Sequence, residues 1–142
     1  MMDTIEPSLV ELIALLTRKV AELQSAMVKK AGFSDLSLRQ INILDIIQGL
    51  QNPTPTELAH ELKISKPSVS AAIDRLETAG YIRKVDSDED RRSYHLHLTQ
   101  KGQNFSQAHD ETHRHLSQFI TRNLEAEDVK QLVRLVGKIF PE

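Results

Sequence analysis

The chain has 142 residues, with 18 Lys and Arg against 20 Asp and Glu, a net charge of −2 and no cysteine. Its length suits one domain, or one fold with an oligomerisation extension, and the absence of cysteine excludes disulfides, thiolate metal sites and thiol redox switches. Because no apolar run approaches the roughly 20 residues of a membrane span and no signal peptide opens the chain, we expect a cytoplasmic protein without a membrane partner.

The first predicted element is a long helix over residues 7–31. Its apolar residues recur at alternating spacings of four and three, as they do in coiled coils: Leu9, Ile13, Leu16, Val20, Leu23 and Met27. This seam predicts that the helix packs on its own domain and also meets a partner helix.

The second predicted helix opens with a capping box, Ser37 to Gln40. Apolar residues cover so much of its circumference that we expect it to be the central buried helix. They are Leu38, Ile41, Ile43, Leu44, Ile46, Ile47 and Leu50.

Two short helices follow, and each begins with a cap and a nearby proline. Thr54, Pro55 and Glu57 fit a capping box with proline at the first helical position, while Ser65 precedes Pro67 in the same way. A tight turn at 63–64 joins the two helices, so this segment is predicted to be a helix-turn-helix.

The second of these helices is apolar on one face only, through Val69, Ala72, Ile73 and Leu76. Its opposite face is small and weakly polar, which suits entry into the major groove of duplex DNA. The predicted DNA-binding residues on or beside that face are Ser65, Lys66, Pro67, Ser68, Ser70 and Ala71.

Two charged residues on this helix allow more than one interpretation. Arg75 suits either a phosphate contact or an ion pair with a neighbouring carboxylate. Asp74 would repel the DNA backbone, so we expect it to be paired or to accept from a cytosine amino group.

Residues 81–85 and 94–98 are rich in strand formers and flank a charged loop over residues 86–93. In the second strand Tyr94, Leu96 and Leu98 alternate with His95 and His97, which we expect on the exposed face. A helix-turn-helix followed by such a hairpin predicts a winged helix.

A long helix is then predicted from its cap at Thr99 to about residue 123. After a break near Glu125, a last helix carries more apolar surface than a small winged helix could cover. Its apolar residues are Val129, Leu132, Val133, Val136, Ile139 and Phe140.

Five motifs in this order resemble the MarR family of bacterial transcription regulators, and the flanking helices match that family's layout. The motifs are Glu57-Leu58-Ala59, Ser65-Lys66-Pro67-Ser68-Val69-Ser70, Asp74-Arg75-Leu76-Glu77-x-x-Gly80-Tyr81-Ile82, Asp90-Arg91-Arg92 and Leu98-Thr99-x-x-Gly102.

The resemblance implies a mainly α (α+β) fold, a winged helix-turn-helix with N- and C-terminal dimerisation helices. The corresponding parts are a dimerisation helix over 1–36, a DNA-binding lobe over 37–102 and dimerisation helices over 103–142. It also implies a homodimeric transcription regulator, most often a repressor, whose partner is double-stranded DNA with a palindromic operator.

The resemblance further assigns roles in the hairpin loop. Asp90 would brace the hairpin through an arginine, while Arg92 would reach the minor groove from its tip. Arg91 is counted with the DNA-binding residues, although a solvated loop with internal ion pairs is the alternative for these charges.

Members of the family commonly respond to a small anionic aromatic effector that lodges between the dimer helices and the DNA-binding lobe. The basic residues able to meet its carboxylate here are Arg18, Arg39, His109 and His113. This set is a prediction about an effector pocket bounded by the first, second and fifth helices.

Two other functions remain open at this point. His109 and His113 are spaced i, i+4, as in zinc pairs of a zinc-responsive branch of the family, but Ile41 and Asn42 stand where further ligands are expected. We therefore predict no metal and no cofactor.

The second alternative is a winged helix that binds protein, which the near-neutral charge of the DNA-binding lobe also suits. No catalytic motif is visible, so an enzyme is not expected.

Overall fold

The computed structural model describes residues 8–33, 35–90 and 92–140. The helices are α1 (Leu9–Ala31), α2 (Leu38–Leu50), α3 (Pro55–Leu62), α4 (Lys66–Thr78), α5 (Gln100–Thr121) and α6 (Ala126–Ile139). Strands β1 (Ile82–Asp86) and β2 (Tyr94–Leu98) form an antiparallel pair between α4 and α5. The predicted mainly helical winged fold is confirmed.

The chain divides into two compact units. Residues 28–109 form one, which contains α2 to α4, the hairpin and the start of α5, and which we call the winged unit. Residues up to 27 and from 110 onward form the other, the helical unit, which contains α6 and most of α1. No helix in the described ranges is both long and apolar enough to span a bilayer.

The helix starts of the winged unit follow the predicted caps. The backbone N–H of Ser37 donates to the Gln40 side chain at 2.8 Å, and that of Thr54 donates to the Glu57 carboxylate at 2.7 Å. At α4 the Ser65 hydroxyl accepts from the backbone N–H of Ser68 at 3.3 Å. These side chains satisfy N–H groups that the first helical turn leaves without an intrahelical acceptor.

Apolar faces of α2, α3, α4 and the hairpin make the core of the winged unit. Ile43, Leu44, Leu58, Ile73 and Leu76 have no exposed surface. The wide burial predicted for α2 is wrong at its ends, because Leu38 is 72% exposed and Leu50 is 42% exposed. They are the first and last residues of the helix, beyond the part that the neighbouring elements cover.

A close backbone approach ties the start of α5 to the hairpin. The Thr99 hydroxyl accepts from the backbone N–H of Gly102 at 3.2 Å and donates to the Gly80 carbonyl at 2.6 Å. A Cβ at Gly102 would collide with the carbonyl oxygen of Tyr81, so glycine is required there. This packing explains why the residue three positions after the Thr99 cap is a glycine.

The histidines of β2 differ from their predicted exposure. His95 and His97 are both half-buried rather than exposed. The Nδ1 atom of His95 lies 2.9 Å from the Asn52 carbonyl oxygen, and the Leu96 N–H donates to the Pro53 carbonyl at 2.8 Å. The segment between α2 and α3 therefore lies against β2 and covers part of this strand.

A polar bridge joins the segment before α2 to the start of the hairpin. The Tyr81 hydroxyl donates to Asp35 at 2.7 Å, and the Lys101 ammonium lies 3.6 Å from the other Asp35 oxygen and 4.2 Å from the centre of the Tyr81 ring. The hydrogen bond from Tyr81 lowers the pKa of Asp35, and burial together with Asp35 raises the pKa of Tyr81.

This bridge predicts an acid-sensitive contribution to stability. Because the folded-state pKa of Asp35 lies below its ordinary value of 3.8, its contribution is present above pH 3.8 and is lost as pH falls through the folded-state pKa. In urea unfolding, Asp35→Asn should therefore have a lower free energy of unfolding than the parent at neutral pH. The difference between variant and parent should become smaller in acid. Equal differences at both pH values would contradict the prediction.

In the helical unit, α6 begins directly after Glu125, whose N–H donates to Asp128 at 3.1 Å. Much of the apolar surface of α1 and α6 is open to solvent in a single chain. The exposed large side chains on these two helices are Leu9, Val10, Leu12, Ile13, Leu15, Leu16, Val133, Leu135, Val136 and Ile139.

Candidate nucleic-acid interface

The polar face of α4 is exposed as the sequence predicts. Val69 and Ile73 face the core with 1% and 0% of their surface exposed, respectively. The residues on the other side of α4 are exposed and form what we call the recognition surface: Lys66, Pro67, Ser68, Ser70 and Ala71. The apolar stripe packs the helix on the core, and most side chains of the opposite face are small. A large, rigid partner could therefore approach the backbone of α4 closely on this face.

The serine hydroxyl groups near the start of α4 differ in their hydrogen bonding. Ser65 accepts from the N–H of Ser68 and donates to the Ser68 hydroxyl at 2.9 Å, so it holds the first turn in shape. Ser70 lies one turn further on and makes no side-chain hydrogen bond with another described residue. Its hydroxyl is available to a partner, whereas Ser65 acts first as the helix cap.

Lys84 of β1 links the hairpin to α4. Its ammonium group lies 2.9 Å from the Asp74 carboxylate and 3.0 Å from that of Glu77, and these two carboxylates raise its pKa. The expectation that Asp74 is paired is thus confirmed. Sequence reasoning missed Lys84, although two acids one turn apart on α4 signal a basic partner nearby.

Within the part of the chain that the structure describes, the ion-pair alternative for Arg75 is not realised, and its phosphate contact stays a prediction. Its side chain is exposed, and it makes no ion pair with any described carboxylate. Asp74, its immediate neighbour, is held by Lys84 instead. The guanidinium group therefore remains available for an external anion.

Asp90 braces the hairpin loop through backbone groups. Its carboxylate accepts from the N–H of Arg92 at 2.9 Å, and its carbonyl accepts from the N–H of Ser93 at 2.9 Å. The resemblance implied a brace through an arginine, and in the described residues the Asp90 carboxylate contacts the backbone of Arg92. Arg91, the remaining predicted DNA contact of the loop, lies outside the described residues.

The hairpin loop and the recognition surface border one groove of about 340 Å³, which we call the wing groove. Lys66 and Ser70 of α4 line it together with Arg92. Its remaining lining residues come from the start of α3 and from the hairpin, and sequence reasoning did not assign them to an interface: Thr54, Pro55, Thr56, Ser93 and Tyr94. Two cations and several hydroxyls on one concave surface suit a phosphodiester chain.

The four predicted effector contacts lie in different surroundings. His109 is buried in the winged unit, with Nε2 2.9 Å from Asp45 and its ring stacked on Phe105 at 5.7 Å. Arg39 is exposed on α2. In the helical unit, Arg18 lines a groove of about 610 Å³ between α1 and α5, and His113 lines one of about 580 Å³ between α5 and α6.

The structure also bears on a metal site. Among the described residues, no three histidine, aspartate or glutamate side chains group closely enough to hold a metal ion. His109, one of the two histidines spaced i, i+4, has its Nε2 atom 2.9 Å from Asp45.

A capped helix-turn-helix followed by a braced hairpin that shares a groove with the second helix defines a winged helix-turn-helix protein. The model described as "MarR family" matches residues 34–93. The multiple antibiotic resistance protein MarR of Salmonella typhimurium is 31% identical over 108 residues, which are 75% of each chain. The chain belongs to the MarR family, whose members are transcriptional regulators and not enzymes.

Other similar proteins include transcriptional regulator PecS of Dickeya dadantii, which is 32% identical over 101 residues. That match spans 69% of this chain and 60% of PecS. Among solved structures, Streptococcus pneumoniae FabT in complex with DNA superimposes with a TM-score of 0.75 at 26% identity, covering 94% of this chain and 95% of FabT. A mutant MarR from Escherichia coli, complexed with operator DNA, gives 0.61 at 26% identity and covers 94% of each chain.

Proposed function

We propose that the chain is a homodimeric, sequence-specific DNA-binding regulator that represses transcription by occluding a promoter. The observation that carries the proposal is the wing groove, where the recognition surface and Arg92 lie side by side. Support comes from the family and from the similar FabT and MarR structures that contain DNA.

The mode of binding follows from the shape of α4. The major groove is about 12 Å wide and admits a helix, and small side chains let the helix backbone approach the bases. Ser68 and Ser70 would donate to base edges or phosphates, while Pro67 and Ala71 offer apolar contact to a thymine methyl. Arg92 would enter the adjoining minor groove, where narrow A·T-rich DNA concentrates negative potential.

DNA binding would depend on a few locally placed cations and not on a generally basic surface. The whole chain has a net charge of −2, so long-range attraction to DNA is weak. Lys84 offsets one of the two negative charges of Asp74 and Glu77 on α4. The exposed cations Lys66, Arg75 and Arg92 would act on phosphates.

Dimer formation is supported by the exposed apolar side chains of α1 and α6. Monomeric proteins rarely expose large contiguous apolar patches to water. The groove between α5 and α6 is lined by Leu116, Val129, Leu132 and Val136, and it suits an apolar helix such as α1 of a second copy. A two-fold dimer would place two recognition helices about one DNA turn apart on a palindromic operator.

Release from DNA by a small aromatic anion is part of the proposal. The groove beside Arg18 combines apolar Leu12, Leu15 and Phe119 with Arg122, while Lys19 in the same groove pairs with Glu22 at 3.3 Å. The guanidinium groups of Arg18 and Arg122 would meet the carboxylate of an aromatic ligand. A few kcal/mol of differential affinity between the free and DNA-bound forms would suffice. A calorimetric screen of aromatic carboxylates tests this, and the absence of binding together with unchanged DNA affinity would contradict it.

Replacing Arg92 by alanine tests DNA binding itself. The slope of log affinity against log salt should become shallower by about one, because each phosphate contact releases about one counterion. Gel shifts at graded salt, on the upstream region of the protein's own gene and on random duplex, would measure it. Arg114→Ala is the matched control, since Arg114 is exposed on α5 and pairs with Glu111 at 2.8 Å.

A flat salt dependence for the parent protein would favour a winged helix that binds protein instead of DNA. An Arg114→Ala slope equal to that of Arg92→Ala would remove the specific role of the hairpin tip. Either result contradicts the proposal as stated.

A further inference from the structure

A second groove of the winged unit, of about 410 Å³, lies beside the hairpin and is used by none of the functions above. We call it the hairpin groove. Ile47 and Leu98 form its apolar part. Every other lining residue is polar and comes from the end of α2, the segment after it, the two strands or the start of α5: Gln48, Gln51, Asn52, Arg83, His97 and Gln103.

Strand alternation separates this groove from the DNA-binding face. Lys84 contacts α4 through Asp74 and Glu77. Arg83 is its neighbour in β1, and successive side chains of a strand point to opposite faces. The guanidinium group of Arg83 therefore belongs to the face of the hairpin away from α4.

The charge of the hairpin groove is positive and uncompensated within the described residues. Arg83 is paired in register with His97, and it makes no ion pair with a described carboxylate. No aspartate or glutamate lines the groove. Burial lowers the pKa of His97, and the charges of Arg83 and His95 lower it further.

The backbone at the edge of the groove is left-handed at two successive residues. Gln51 and Asn52 have φ values of 54° and 66°, in the left-handed region that favours glycine. The chain nevertheless keeps two carboxamide side chains at these positions, and both line the groove. Gln51 is the C-cap of α2, and this helix ending brings the two carboxamides to the edge of the groove.

We propose that the hairpin groove binds a small hydrophilic anion bearing a carboxylate or a phosphate. Arg83 supplies the charge, and carboxamides that both donate and accept suit the hydroxyl or amide groups of such a ligand. The scarcity of apolar lining distinguishes this ligand from the aromatic effector proposed for the groove at Arg18. This assignment does not depend on DNA binding.

The test is an NMR titration of the isotope-labelled full chain without DNA. Sodium phosphate and sodium malate are added in separate series, with chloride holding the ionic strength constant. We expect saturable shifts of the His97 ring and of the Gln51 and Gln103 carboxamides, with a dissociation constant of about 1 mM or lower for one of the two anions. The series that saturates identifies the anionic group.

Two variants assign the binding to the groove. Arg83→Gln should weaken it at least about tenfold, the effect of losing a charge-assisted contact, while Arg114→Gln removes an exposed guanidinium of the helical unit and should leave it unchanged. Gln51→Gly places glycine, which adopts a left-handed backbone without steric cost, at this position and removes the carboxamide. It should therefore keep or raise the melting temperature while lowering the affinity for the anion.

Three results would overturn the proposal. One is the absence of saturation with both anions, and another is equal binding by Arg83→Gln and the parent. The third is a shallower salt dependence of DNA binding in Arg83→Gln without any anion binding, which would assign Arg83 to a DNA phosphate.

Discussion

The substitution Val133→Glu is expected to convert the proposed dimer into a monomer and to lower operator affinity by about a hundredfold or more. Val133 is 67% exposed in the single chain and lines the apolar groove between α5 and α6. A carboxylate buried there by a second copy would lose its hydration without gaining a partner. Each recognition helix would then bind its half-site alone, without the gain from simultaneous engagement.

The matched control is Gln131→Glu, which changes the charge by the same amount at an exposed position of the same helix. It should leave both the sedimentation coefficient and the gel shift close to those of the parent. A Val133→Glu protein that remains dimeric at micromolar concentration would show that α6 does not form the interface. A monomeric parent that still binds the palindrome tightly would remove the dimer from the proposal altogether.

The substitution Phe105→Ala is expected to lower the free energy of unfolding by roughly 3–5 kcal/mol. Phe105 has no exposed surface, and its ring packs edge-on against Phe33 at 5.4 Å and Tyr81 at 6.2 Å. It also stacks on His109, so a cavity here would loosen the winged unit at several elements. Urea unfolding at one fixed protein concentration measures the loss.

Phe105→Leu is the graded comparison, because it retains most of the side-chain volume and loses mainly the ring contacts. It should cost roughly 1–2 kcal/mol. If alanine cost no more than leucine, the three-ring cluster would not be a packing centre. A loss of DNA affinity without any loss of stability would likewise argue against this structural role for Phe105.

Local features were predictable because each depends on neighbours in the chain. The caps at Ser37, Thr54 and Ser65 bond groups three residues away, and the alternation of Tyr94, Leu96 and Leu98 follows from the strand itself. The apolar stripe of α4 follows from helical spacing in the same way. The exposure of Leu38 and Leu50 was not predictable, since it depends on how far the neighbouring elements extend along α2.

Contacts between residues that are far apart in the chain were not predictable from the sequence. Lys84 is ten residues from Asp74, and His109 is far along the chain from Asp45, yet both pairs lie within 2.9 Å. The i, i+4 spacing of His109 and His113 placed both on one face of α5, whereas the fold buries His109 against Phe105 and leaves His113 exposed. Spacing along a helix determines which face a residue occupies, but it does not determine what covers that face.

The amino-acid sequence by itself determined the order of the elements, the family and the small polar face of α4, because these depend on short-range periodicity and capping. Only the tertiary structure decided that Lys66, Ser70 and Arg92 share the wing groove and that Arg83 and His97 share the hairpin groove. The physical reason is that each groove joins elements distant in sequence, and chain packing alone determines which of their side chains meet.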